Sequence, residues 1–129
     1  MNARMKLEPK MKIWKIGLLV QDLEAAEAFY TGVLGMEVIS KSPRSVHLDA
    51  GAVRLELIRR EVFEGDERLG VPGVHHLSFK IDNIETEAQK LKAKNVKFIR
   101  EPFEIAKGLK LAFFDGLNNV NLQLFVDKR

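Results

Sequence analysis

The sequence predicts an α+β fold built as two βαβββ modules, and three observations carry that reading. The first is an internal repeat. Gly17-Leu18-Leu19-Val20-Gln21-Asp22-Leu23-Glu24 aligns with Ser78-Phe79-Lys80-Ile81-Asp82-Asn83-Ile84-Glu85 at an offset of 61 positions, which sets Val20 on Ile81, Asp22 on Asn83 and Lys15 on His76. The second is that the ends of the copies also correspond: Leu55-Glu56-Leu57-Ile58 aligns with Leu122-Gln123-Leu124-Phe125 at an offset of 67. The third is element order. Each copy reads as a strand, a helix and three short strands, which argues for helices covering one face of each sheet.

The elements follow from periodicity and punctuation. Residues 1–10 read as a loose polar tail, followed by a single domain over 11–129: module one at 11–59, a connector at 60–72 and module two at 73–126. From Met11 to Val20 the pattern alternates, with Trp14, Ile16, Leu18 and Val20 on one face and Lys15 and Gly17 on the other. Asp22 is an N-cap, Leu23, Ala26, Phe29, Tyr30, Val33 and Leu34 recur at helical spacing as core, and Gly35 ends the helix. Strands are expected at Met36 to Ser40, Ser45 to Asp49 and Val53 to Ile58. The second copy repeats the scheme: a strand at Val74 to Ile81, a helix from Asn83 to Lys94 ended by Asn95, then strands at Val96 to Arg100, within Leu109 to Phe114, and at Val120 to Val126. Glu101 and Lys107 are expected to flank a loop.

Bulk composition narrows the function. At 129 residues with 46% hydrophobic and 30% charged content, the chain can bury a real core. Cysteine is absent, which removes disulfides, thiolate catalysis and sulfur-ligated zinc. The apolar stretch Ile16 to Val20 is too short for a membrane span and no secretory pattern precedes it, so the expectation is a cytoplasmic protein with no membrane partner. A net charge of +3, with basic and acidic residues interleaved, argues against nucleic acid and suits a small anionic ligand.

Alternation places the chemistry. Leu55 and Leu57 share the helix-packed face, so Glu56 projects the other way; Leu122, Leu124 and Val126 do the same for Gln123. Lys15 and His76 also leave the helix-packed face. If the turn at Asp49–Gly51 pairs residue 49 with 52, then 47 faces 54 and 45 faces 56, and His47, Arg54 and Glu56 share the polar face. A cleft floored by Lys15, Glu56, His76 and Gln123 and walled by His47 and Arg54 fits a small ligand. His75 stands where Trp14 stands, on the core face, and reads as a satisfied buried histidine.

Several runs carry a family resemblance. Ile16 to Glu24, Phe29-Tyr30 and Val33-Leu34-Gly35-Met36 resemble the opening of the vicinal oxygen chelate superfamily, which includes glyoxalase I, bleomycin-resistance proteins and extradiol dioxygenases. Gly73-Val74-His75-His76-Leu77-Ser78-Phe79 resembles the start of its second module, and Phe113-Phe114-Asp115-Gly116 through Phe125 its closing strand. The resemblance implies a cupped, incomplete barrel-like sheet with helices on the outer face, a homodimer, and a site that in the enzymes holds a divalent metal (Zn, Ni, Fe or Mn). It carries the ligand positions onto Lys15, Glu56, His76 and Gln123. Lysine departs from the pattern, because an ammonium has no lone pair for a cation. Three readings of Lys15 stay open: an ammonium replacing the metal's charge beside Glu56, a metal site lacking one ligand, and a solvated strand lysine.

The resemblance implies a glyoxalase-like protein that binds a small anionic or oxygen-rich metabolite. In the enzyme reading it catalyses a lyase, isomerase or dioxygenase type of reaction, though not in the glyoxalase I arrangement. Lys15 would then act electrostatically and Glu56 in proton transfer, with His47, Arg54, Ser78 and Asn121 contacting substrate. The alternative is a metal-free binding or sequestering protein of the bleomycin-resistance type.

Overall fold

The computed structural model describes residues 11–129, so the expected tail at 1–10 lies outside the described residues. The chain runs β1 (Ile13–Val20), α1 (Leu23–Ala28), β2 (Glu37–Lys41), β3 (Ser45–Asp49), β4 (Arg54–Arg59), β5 (Gly73–Lys80), α2 (Ile84–Ala93), β6 (Phe98–Ala106), β7 (Leu109–Asp115) and β8 (Asn121–Asp127). The strands form one mixed eight-stranded sheet in the order β2-β3-β4-β1-β5-β8-β7-β6, open at β2 and β6. The α+β class and the two βαβββ modules are as the sequence predicts.

The modules meet within the chain through antiparallel pairing of β1 with β5, centred on Ile16 opposite Leu77, two residues 61 positions apart. The pairing is symmetric about that point: Lys15 faces Ser78 and Gly17 faces His76. The outer pairs match too, with β1 parallel to β4 and β5 parallel to β8. Each helix starts on an equivalent cap, where Asp22 Oδ1 accepts from the Ala25 amide and Asn83 Oδ1 from the Thr86 amide, both at 3.0 Å.

Two apolar clusters lie under the helices, one per module. Leu23 packs on Val46, Leu48, Leu55 and Leu57, and Ile84 packs on Ala112, Phe114, Leu124 and Val126. Ile16, Leu18 and Val20 join the first cluster, as alternation requires. Trp14 and His75 do not follow it. The register slips by one residue at each, so Trp14 is the extra residue on β1 and His75 the extra residue on β5. These two bulges occupy equivalent places in the repeat and swing both side chains to the concave side.

Three further expectations are corrected. The first helix is α-helical only to Ala28 and continues as a π-turn over Phe29–Val33, where the Thr31 hydroxyl donates back to the Glu27 carbonyl at 2.7 Å. That widening leaves Phe29, Val33 and Leu34 exposed, while Tyr30 stays packed on the core. The β3–β4 turn is longer than expected, because Asp49 pairs with Arg54, which puts His47 directly opposite Glu56. Finally, β6 extends to Ala106, so Glu101 lies within a strand.

Gly17 marks how tightly the seam is built. A Cβ there would collide with His76 Cε1 and stand 2.8 Å from its Nδ1. Gly17→Ala should therefore push the imidazole from its seat and cost about 1–3 kcal/mol of stability, as overpacking does. Urea denaturation of the variant checks this, and an unchanged midpoint would show that the ring has room to move.

Candidate functional site

The concave face holds a cavity of about 510 Å³. Its first-module wall is polar, with Lys15, His47, Arg54 and Glu56; its second-module wall is largely apolar, with Phe103, Leu111, Phe113 and Phe125, and carries His76 and Gln123. The six polar residues that the sequence brings together by alternation thus line one cavity. Ser78 and Asn121 do not line it. Ser78 lies beneath the floor and is fully buried: Trp14 Nε1 donates to its hydroxyl at 3.1 Å, and that hydroxyl donates to Gln123 Oε1 at 2.6 Å. Asn121 works in the frame, with its Nδ2 donating to the His75 carbonyl at 2.9 Å and its Oδ1 accepting from Arg68 Nε at 2.6 Å.

At the centre, Lys15 Nζ donates to Glu56 Oε1 at 2.7 Å, and His47 Nε2 lies 3.3 Å from Glu56 Oε2. The lysine is 4% exposed, so Lys15 is no solvated strand residue. Burial pushes the Glu56 carboxyl up. The His47 hydrogen bond and the Lys15 charge outweigh that and hold it far below the usual carboxylate range. Breaking a buried pair by removing one partner is costly, whereas a buried pair as a whole adds little to stability. A role in binding explains such a pair better than a role in folding does.

His76 is buried, and its ring is held edge-on to Phe113 at 5.5 Å between centroids. Its Nδ1 lies 2.7 Å from His75 Nδ1, while Nε2 is buried with no hydrogen-bond partner among the described residues, as is His47 Nδ1. Desolvation, with the charge of Lys15 added, holds His76 well below the ordinary histidine value. His75 is lowered as well, chiefly by burial.

The residues present do not fit a divalent metal. Glu56 has both oxygens engaged, the Gln123 oxygen accepts from Ser78, and the fourth position carries an ammonium. That leaves His76 Nε2 as the one uncommitted donor among the four positions. Among the described residues, no group of three or more His, Cys, Asp or Glu side chains is placed to hold a metal ion.

Sequence reasoning missed part of the site. The connector, expected as a plain link, roofs the apolar wall: Leu69 is fully buried against Leu111 and Phe113, with Phe63 beside it. The Leu109–Phe114 strand hides its cleft face because it is apolar on both sides, so alternation gives no signal there. The cationic rim was also missed in part. Arg54 lies 5.3 Å and Lys80 5.0 Å from the Trp14 ring centre, and together with Arg44 they face the cavity without an ion pair among the described residues.

The chain matches the model of the glyoxalase/bleomycin resistance protein/dioxygenase superfamily over residues 12–123. Among curated proteins it is similar to mitochondrial methylmalonyl-CoA epimerase of Bos taurus, 29% identical over 119 residues, covering 79% of this chain and 68% of that protein. Among solved structures it is similar to a hypothetical protein from Bacillus halodurans C-125, with TM-score 0.75, 21% identity, and 94% and 96% of the two chains covered. It is also similar to Streptomyces coelicolor methylmalonyl-CoA epimerase in complex with 2-nitronate-propionyl-CoA, with TM-score 0.70, 22% identity, and 92% and 98% covered. No helix among the described residues is long and apolar enough to cross a membrane.

Two outcomes follow from the site. The folded values of Glu56, His75 and His76 all lie below their unfolded ones, so each group takes up protons on unfolding in acid. Their contributions are complete above the unfolded values; stability should fall first below about pH 6.5, from the histidines, and again below about 4.5, from Glu56. Urea midpoints measured between about pH 4 and 8 read this, and a His76→Gln variant should flatten the upper step. Added zinc, nickel or manganese should leave the wild-type melting temperature unchanged, whereas Lys15→His should gain a metal-dependent rise. Stoichiometric metal in the wild-type protein by elemental analysis would defeat this reading of the donor set. By its family model this chain belongs to the glyoxalase/bleomycin resistance protein/dioxygenase superfamily.

Proposed function

We propose that this chain is a metal-independent isomerase of the superfamily, acting on a small anionic acyl compound such as an acyl thioester. One observation carries the reading: the cavity holds a buried imidazole nitrogen, His76 Nε2, with no hydrogen-bond partner among the described residues, together with the buried ammonium of Lys15. Lys15 has three N–H donors and spends one on Glu56, leaving donors for a substrate carbonyl oxygen. His76 Nε2 takes the proton from the carbon beside that carbonyl. The C–H electron pair moves into the enolate, whose oxygen gains negative charge against the ammonium. Return of a proton to the other face, or to a neighbouring position, gives the isomer with no net oxidation.

In this reading Glu56 anchors Lys15, because both of its oxygens are already engaged, one by Lys15 and the other by His47. Arg44, Arg54 and Lys80 supply the field for an anionic group. The similarity to proteins named as methylmalonyl-CoA epimerases supports both the isomerase class and an acyl-CoA. A homodimer belongs to the same reading, supported by exposed Phe29, Val33, Leu34, Val38 and Ile39 around the open β2 edge. The second reading, a metal-free binding protein, is favoured by the engagement of both Glu56 oxygens, which leaves no carboxylate free to move a proton in the cleft.

Proton NMR in D₂O with methylmalonyl-CoA and simpler acyl-CoA compounds separates the two. The isomerase reading expects loss of the α-proton signal under the chelated wild-type protein. That rate should fall roughly 10²- to 10³-fold in His76→Gln and in Lys15→Met. Calorimetric binding that depends on Lys15 without any exchange would establish the binding protein instead.

A further inference from the structure

The His75–His76 pair forms a directional hydrogen-bond chain that runs from the connector to the cavity. His75 Nε2 lies 2.6 Å from the Leu69 carbonyl oxygen. A carbonyl only accepts, so His75 Nε2 carries a proton and donates it. His75 is 2% exposed and sits against Phe63, at 4.4 Å between ring centres, and edge-on to Phe113 at 6.2 Å. Such apolar surroundings disfavour a second proton, which leaves Nδ1 with a bare lone pair. His75 Nδ1 and His76 Nδ1 are 2.7 Å apart, and one proton must lie between them. It therefore belongs to His76 Nδ1, and His76 Nε2 is left as an acceptor. This nitrogen has no hydrogen-bond partner among the described residues.

We propose that His75 is a positioning residue: hung from the Leu69 carbonyl, it fixes His76 in the Nδ1–H tautomer and so presents Nε2 as a proton acceptor. The inference rests on the isomerase reading for the use made of that nitrogen, but not for the tautomer itself. Several contacts set the chain in place. The Arg68 guanidinium ties the connector to Asn121 through Nε and to Asp115 through Nη2 at 3.0 Å. Asp66 Oδ1 accepts from the Leu69 amide at 2.8 Å, and Arg100 Nη2 donates to Asp66 Oδ2 at 2.7 Å. Asn121 Nδ2 holds the His75 carbonyl from the other side. Gly17, opposite His76, leaves the room the ring needs. The β5 bulge at His75 makes the arrangement possible, since a regular strand would send neighbouring side chains to opposite faces.

Histidine-ring nitrogen NMR on the ligand-free, ¹⁵N-labelled protein tests the tautomer directly. The expected spectrum has His76 protonated at Nδ1 and bare at Nε2, and His75 the reverse. His75→Phe keeps an aromatic ring against Phe63 and Phe113 but removes both hydrogen bonds. It should shift His76 toward the Nε2–H form and lower the rate constant for α-proton exchange roughly 10- to 100-fold, with a smaller effect on acyl-CoA binding. His75→Gln, whose amide can donate to Leu69 and accept from His76, should restore the Nδ1–H form and part of the rate. A wild-type spectrum with His76 protonated at Nε2 overturns the proposal, as does a His75→Phe variant that keeps the Nδ1–H form. If the wild-type protein exchanges no acyl-CoA proton, the isomerase reading fails while the tautomer measurement still decides this one.

Discussion

The site depends on the antiparallel pairing of β1 with β5. Because the pairing is centred on Ile16 and Leu77, it sets each module's first strand beside its counterpart and brings Lys15 and His76 to one concave floor. The parallel neighbours then supply Glu56 from β4 and Gln123 from β8. A slip of one residue along this seam would exchange the two faces of a strand, burying Lys15 under a helix and turning Leu18 into the cleft. Apolar packing of Ile16, Leu18 and Val20 beneath α1 guards against that slip. The same core that stabilises the fold therefore fixes the site's register.

Equivalent backbone does not make equivalent chemistry. Trp14 and His75 are matching bulge residues, and Lys15 and His76 are the matching residues after them. In the first module the bulge side chain is an indole that donates to Ser78 and stacks on Phe125, and the next residue is the lysine paired with Glu56. In the second, the bulge side chain is an imidazole bound to the connector, and the ring nitrogen Nε2 of the next residue has no hydrogen-bond partner among the described residues. A duplicated scaffold therefore carries different side chains at its matching positions. Gly17 and Ser78 diverge in step: one leaves space for the His76 ring, and the other bridges Trp14 and Gln123.

Much of this was legible in the sequence, for identifiable reasons. Helix caps at Asp22 and Asn83, the Gly35 and Asn95 terminators, and alternation in Leu55–Leu57 and Leu122–Val126 are local signals that the fold respects. They were enough to bring Lys15, His47, Arg54, Glu56, His76 and Gln123 to one cavity. What stayed hidden was non-local. A bulge changes which face a residue takes without leaving a mark in the hydrophobic pattern, so alternation puts Trp14 and His75 on the helix-packed face, although His75 is the buried, satisfied histidine its position suggests. The turn before β4 differs from expectation by two residues, which preserves the face of His47 but changes its partner from Arg54 to Glu56. The connector's charged composition concealed that Phe63 and Leu69 fold back over the concave face. Asn121 looked free to meet a ligand because nothing in its neighbourhood in sequence announces Arg68, 53 positions away.

A lysine in the cleft asks something different of a ligand than a divalent cation would. A divalent cation offers several coordination positions and can chelate two neighbouring oxygens at once. An ammonium offers one charge and three donors, and here one donor is committed to Glu56. With His47 on its other oxygen, Glu56 cannot release the lysine without leaving a charge unpaired in a buried site. The pair is thus better suited to a single carbonyl oxygen whose charge grows during reaction than to a diol or a catechol. The apolar wall of Phe113 and Phe125 lowers the local dielectric beside that oxygen and strengthens a lone cation's hold on it. The fixed ammonium and the apolar wall therefore act together on one oxygen, and neither supplies the second coordination position that chelation needs.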